Sequence, residues 1–192
     1  MSELPLIAVT DSAICPRPLA EQIERLAKLT ELRPQAVILR AKALDKAAYR
    51  TLALQAQQSC EPAGIPLILH SDWQLARELG ISMLHLPLAL LRQISEYERA
   101  YFTWLSTSVH SVGEAQEAQA LGATVLIAGH IYTTQCKAGL APRGLGFLQA
   151  VCSTVSLPVY AIGGIGFDAT QHAELQANGA RGACVMSAYM RL

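Results

Sequence analysis

The chain has 192 residues, 52% of them hydrophobic and 16% charged, with 15 basic and 15 acidic side chains that cancel. A charged fraction well under the ~25% of an average globular protein excludes a disordered chain, and a pI near 6.9 argues against bulk nucleic-acid binding, which needs a basic surface. No apolar run approaches the ~18 residues of a membrane span, the first ten residues lack the basic start of a signal peptide, and five scattered cysteines without a Cys-x-x-Cys pair point to reduced thiols in a cytoplasm.

In chain order, eight short and almost wholly apolar runs are predicted as strands, at residues 4–9, 36–39, 66–69, 83–86, 102–105, 124–128, 158–162 and 183–186. Runs of this kind suit parallel strands buried on both faces. Between them, Leu19, Ile23, Leu26 and Ala27 recur at helical spacing, and Asp45 is placed to cap a helix running to about residue 58. Residues 87–100 have a poor helical period, Ser111 and Glu114 have the spacing of a capping box, and Asp168 is placed to cap the next helix. Gly64, Gly80, Gly122 and Gly179 each end a helical segment and are followed by an apolar run, which is the αβ turn of an alternating α/β protein. Eight strands, seven crossovers and a stub of an eighth helix predict a compact (β/α)8 TIM barrel with a short or truncated eighth helix, as a single domain over residues 1–192. Such barrels rarely fall below ~200 residues, so an open doubly wound sheet is the alternative on counting alone.

Nearly every predicted strand is followed by a polar residue or glycine, as expected where strand ends converge on a catalytic face. Thr10-Asp11 follows the first and Arg40 and Lys42 the second; His70, Ser71 and Asp72 follow the third. Ser106, Ser108 and His110 follow the fifth, Gly129-His130 the sixth, Gly163-Gly164 the seventh and Ser187 the eighth. Gly163-Gly164-Ile165-Gly166, with Val185, Met186 and Ser187 beside it, is a candidate phosphate cradle of backbone amides; the plain alternative is a tight turn. Arg40, Lys42, Lys137 and Arg143 are cations on or near the same face. His130 is the candidate acid–base group, against a structural role for a partly buried imidazole. His70, Ser108, His110 and Cys136 are further rim candidates, and His85 is core or rim. No second carboxylate stands at a sensible spacing to complete a metal site with Asp72 and His70.

These motifs resemble the thiamine phosphate synthase and TenI group of small (β/α)8 barrels. The resemblance rests on Ala8-Val9-Thr10-Asp11, Arg40-Ala41-Lys42, Ser108-Val109-His110-Ser111 and Ala161-Ile162-Gly163-Gly164-Ile165. After strand six the chain reads Gly129-His130-Ile131-Tyr132-Thr133-Thr134-Gln135-Cys136-Lys137, then Gly139-Leu140 and Arg143-Gly144. This looks like the TenI branch, the thiazole tautomerases, where synthases read G-P-x-F-x-T-x-T-K. Synthases hold Mg²⁺ on acids after strands three and four. Here His70-Ser71-Asp72 carries its acid one place late and Leu86-Pro87-Leu88-Ala89 carries none. Against TenI, Ala41 stands where that branch has glutamate.

The resemblance therefore implies an isomerase that aromatises a thiazole carboxylate phosphate by proton transfer, with no cofactor and no metal. His130 would move the proton. Gly163, Gly164, Val185, Met186 and Ser187 would hold the phosphate, and Arg40, Lys42 or Lys137 the carboxylate. A diverged thiamine phosphate synthase, or a phosphate-ligand-binding barrel without catalysis, is the alternative. The expected partner is a small phosphorylated thiazole, with no nucleic acid or membrane, in a cytoplasmic homodimer.

Overall fold

The computed structural model describes residues 4–135 and 139–192. Eight parallel strands, β1 (Leu6–Val9), β2 (Ala36–Leu39), β3 (Leu67–His70), β4 (Met83–Pro87), β5 (Trp104–Val109), β6 (Val125–Gly129), β7 (Val159–Ile162) and β8 (Gly182–Val185), pair in sequence order. β1 also pairs with β8, through Ile7 against Cys184, so the sheet closes into a barrel and the open doubly wound alternative falls away. Helices α1 (Leu19–Ala27), α2 (Lys46–Cys60), α3 (Trp73–Glu78), α4 (Leu88–Leu91), α5 (Glu96–Arg99), α6 (Val112–Ala120), α7 (Gly144–Thr154), α8 (Ala169–Ala177) and α9 (Ser187–Met190) lie in the connections and after β8.

Strand alternation explains the unbroken apolar runs. Ile7, Val9, Ile38, Ile68, Ile127 and Tyr160 form one cluster, which fills the barrel interior. Their neighbours Ala8, Val37, Leu39, Leu69, Leu126 and Ala161 join a second cluster with the helices. Both faces of each strand are therefore buried, as parallel sheets require. Each of Gly64, Gly80, Gly122 and Gly179 has the positive φ expected of it. The final helix is a single turn. Tyr189 seals it, fully buried, with its hydroxyl donating to Leu32 O at 2.9 Å while Gln22 Nε2 donates to Tyr189 O at 2.6 Å.

Three local expectations are corrected. β5 runs to Val109 instead of stopping at residue 105, because Ser106 and Ser108 stay in register with β4 and β6. An apolar-run criterion ends a strand where its inward residues turn polar, and here that happens inside the strand. Residues 87–100 hold two short helices, and the complete capping box belongs to Ser95 and Glu98 of α5. At α6 only half a box forms. Ser111 Oγ accepts from Glu114 N at 3.1 Å, but the Glu114 carboxylate takes the backbone N–H of His110 at 2.6 Å. Among the described residues no helix is long and apolar enough to cross a membrane.

Candidate functional site

The inward positions of β3, β4 and β5 change from apolar to polar toward the C-terminal ends of the strands. His70 is in register with His85, and His85 with Ser106. The two imidazole centroids lie 5.3 Å apart. His85 is 5% exposed and bridges two hydroxyls, with Nδ1 3.0 Å from Ser106 Oγ and Nε2 3.1 Å from Ser108 Oγ. Burial, and next the neighbouring His70, push its pKa down to about 3. His70 Nδ1 lies 2.7 Å from Ser71 Oγ. Burial, then the positive charges of Arg40 and Lys42, push it down to about 4. Both rings are thus neutral at pH 7, and each offers one donor and one acceptor nitrogen.

β1 and β2 present the cations. The Thr10 hydroxyl donates to Arg40 O and accepts from Arg40 N, both at 2.8 Å, which pins the end of β2 to that of β1. Arg40 Nη1 pairs with Asp11 Oδ2 at 2.8 Å, both side chains being mostly buried. Arg40, Lys42, His70, His85, Ser108 and His110 line a cavity of about 290 Å³ over Ile38 and Ile127. His110 is tied down by its neighbours: Glu114 takes its backbone N–H, and Arg143 Nε donates to its carbonyl at 2.7 Å.

A second cavity of about 480 Å³ adjoins the first and is lined by His130, Gly163, Gly164, Ser187, Ser108 and His110, among others. Ser108, His110, Ile162 and Met186 belong to both walls. The β7–α8 turn has no room for side chains at Gly163 and Gly164. Gly163 has φ +109°, and a Cβ there would come within 2.7 Å of His130 Cα. At Gly164, with φ +69°, it would drive into the Thr133 carbonyl. The segment after β6 is laced to this turn, with Ile131 N donating to Ile162 O at 3.1 Å and Tyr132 N to Gly163 O at 2.9 Å. His130 takes φ +65° and is 3% exposed. α8 braces the turn from the other side: Asp168 caps the helix, Gln171 Nε2 donates to Gly164 O at 3.0 Å, and Gln171 Oε1 accepts from Gly166 N at 2.9 Å.

The structure therefore brings His130, Gly163, Gly164, Met186 and Ser187 to one cavity, and Arg40, Lys42 and His70 to the other, with Ser108 and His110 between them. The side chain of Val185 does not line the cavity of Gly163 and Gly164. It is fully buried between barrel and helices, because a strand residue next to the inward Cys184 must point outward. Cys136 and Lys137 lie outside the described residues. His85, expected as core or rim, and Ser106, expected only as a polar residue after the fifth strand, carry the polar layer, a role the sequence did not assign to either. Parity held the signal, since apolar Leu84 and Leu86 flank a histidine that must face the other way.

The donor set does not fit the Mg²⁺ that the synthase branch of the resembled group holds. Asp72 caps α3, accepting from Leu75 N at 2.9 Å, and lines a neighbouring cavity with Asp45 and Trp73 that meets the first at Lys42, His70 and Pro87. No group of three potential ligands is assembled among the described residues. Mg²⁺ demands hard oxygen donors, and the polar layer supplies imidazoles and hydroxyls instead.

A family model described as Thiamine monophosphate synthase matches residues 6–189. The thiamine-phosphate synthase of Listeria monocytogenes serotype 4b (strain CLIP80459) is 36% identical over 147 residues, covering 74% of this chain and 67% of that protein. That of Syntrophomonas wolfei is 29% identical over 196 residues, covering 98% and 90%. Among solved structures, thiamine phosphate pyrophosphorylase from Pyrococcus furiosus superposes with a TM-score of 0.79 at 23% identity, over 98% of this chain and 88% of that one. FabK from Thermotoga maritima gives 0.76 at 17% identity, over 97% and 59%. At such identities the structural likeness concerns the fold alone. The sequence relatives are named for a synthase, which is a transferase, and this overturns the expected thiazole tautomerase and its isomerase class. The missing metal-binding acids, used to favour TenI, bear on how an anion is held and not on which bond is made. The chain belongs to the thiamine monophosphate synthase family.

Proposed function

We propose that the protein is a transferase of the thiamine-phosphate synthase type, joining an aminopyrimidine methyl diphosphate to a thiazole phosphate. The observation that carries this reading is the pair of adjoining cavities with a shared wall of Ser108, His110, Ile162 and Met186. One is rimmed by backbone amides and the other by cations, which suits two anionic substrates whose reacting ends meet between them. A rearrangement within one small ring needs no second compartment.

The phosphate of the thiazole sits on the Gly163–Gly164 turn and Ser187, where glycines let backbone N–H groups approach oxygen closely. The diphosphate of the pyrimidine enters the cavity of Arg40 and Lys42. The ring nitrogen of the thiazole uses its lone pair to form a C–N bond to the pyrimidine methylene carbon. The C–O bond breaks and its electron pair leaves on the diphosphate. That nitrogen carries no proton, so no general base is required, and the proton-shuttling role expected of His130 falls with the tautomerase. His130 instead forms part of the wall around the thiazole. The work of the protein is to align the two substrates and to neutralise charge on the leaving group. The enzyme acts on small phosphorylated molecules in the cytoplasm as a homodimer, a reading supported by scattered free thiols and a 52% hydrophobic composition.

Incubating the purified protein and Mg²⁺ with both substrates, and following products by mass spectrometry, is expected to yield thiamine phosphate and diphosphate in equal amounts. Saturable binding of both substrates with no product would overturn the proposal.

A further inference from the structure

We infer that the cavity beneath Arg40 and Lys42 is a diphosphate site that works without a bridging divalent cation. The inference rests on the two-substrate reading above. It departs from the way the family resemblance would have the leaving group held.

In the wall of this cavity, Glu114 is the sole acid among the described residues, and its carboxylate is committed to the His110 backbone N–H. Asp72 does not line this cavity; it caps α3 and lines a neighbouring one that shares Lys42, His70 and Pro87 with it. Asp11 is bound to the Arg40 guanidinium. A divalent cation placed here would meet two positive side chains and a single lining carboxylate, Glu114, with no second acid in the wall to join it. A diphosphate meets the reverse. Arg40 is fixed at its backbone by Thr10 on both sides and at its head by Asp11. That pair engages one of the five guanidinium N–H groups. The others give the planar fork that phosphate oxygens accept best. Lys42 is exposed at the rim and adds a second, movable charge. His70 and the hydroxyl of Ser108, itself held by His85, supply neutral polar contacts deeper in. Two cations with neutral donors suit a trianionic leaving group; the acid-lined alternative would repel it until a metal was bound.

Inorganic diphosphate titrated calorimetrically into the protein tests this, once in EDTA and once with excess Mg²⁺. Saturable binding is expected in EDTA, with Mg²⁺ improving it less than about threefold. Arg40→Gln should weaken binding at least tenfold. Lys42→Gln, at an exposed position that leaves folding intact, should weaken it about three- to tenfold, and Asp72→Asn should leave it within twofold. Binding seen only with Mg²⁺, or abolished by Asp72→Asn and untouched by Lys42→Gln, overturns the inference. Running the condensation in both buffers separates the two claims. Product formed only with Mg²⁺ sinks the metal-free site and keeps the transferase. Diphosphate bound in EDTA with no product in either buffer does the opposite.

Discussion

At Gly164 the cradle depends on an absent atom. An alanine there would sit at φ +69° with its Cβ pressed into the Thr133 carbonyl, so it meets both backbone strain and a clash with backbone that cannot swing away. Gly166, two residues on, lines the same cavity, has no positive φ and has open space where a Cβ would go. Gly164→Ala is therefore expected to cost roughly 1–3 kcal/mol in urea unfolding and to weaken binding of the thiazole phosphate at least tenfold. Gly166→Ala should stay within about 0.5 kcal/mol of the parent and bind normally. Equal behaviour of the two variants would remove the special role given to the Gly163–Gly164 pair. Glycine placement was readable in the sequence because it follows a strand and precedes a helix. The state of Arg40 was not. Its partner Asp11 is 29 positions away, and only strand pairing brings the ends of β1 and β2 together. His85 was hidden for a similar reason: its meaning lies in Ser106 and Ser108 across the β4–β5 ladder.

At the level of elements, the first turn of α8 serves as a brace. Asp168 caps it, Gln171 grips the phosphate turn at Gly164 O and Gly166 N, and His172 Nε2 lies 2.8 Å from Gly166 O. Removing the grip without touching the cavity wall should loosen the turn and spare the reacting ends. Gln171→Leu is thus expected to raise KM for the thiazole phosphate about tenfold with kcat within threefold. Gln171→Glu keeps the acceptor for Gly166 N, loses the donor to Gly164 O and adds a negative charge near the anion, so it should fare worse. Steady-state kinetics with the second substrate saturating make the comparison, and a loss confined to kcat would refute the brace. Apolar runs and helix-ending glycines made eight strands and seven crossovers legible. The brace was not legible, since a glutamine in a helix has many partners available. Boundaries failed where chemistry intrudes on pattern. β5 extends past Leu105 because its later inward residues serve a polar cavity, and 87–100 lacks a period because its two helices are a turn each.

For the whole molecule, the cost of a polar layer inside a barrel is a sensitivity to acid. His70 and His85 are held neutral by burial, with pKa values of about 4 and about 3 against an ordinary 6.5. Below pH 6.5 the unfolded chain takes up protons at these residues and the folded barrel does not, so protons favour unfolding. The stabilisation is complete above pH 6.5 and is lost progressively as pH falls toward 4, where the folded protein begins to protonate as well. The carboxylates whose pKa values are lowered, Glu24, Glu98 and Glu117, start from 4.5, so their losses come at more acid pH. The interval from 6.5 to about 4.5 therefore reports the histidines. Thermal melting is expected to show Tm falling steadily across that interval, and the double variant His70→Gln/His85→Gln, which removes two of the chain's five imidazoles, should make the slope shallower whatever its absolute Tm. An unchanged slope in the double variant would mean that the rings are charged in the barrel. That would also change the anion site, because two imidazolium ions beside Arg40 and Lys42 would tighten diphosphate binding on acidification, whereas neutral rings add no such gain. The melting slope and the binding profile thus probe one electrostatic state from two sides.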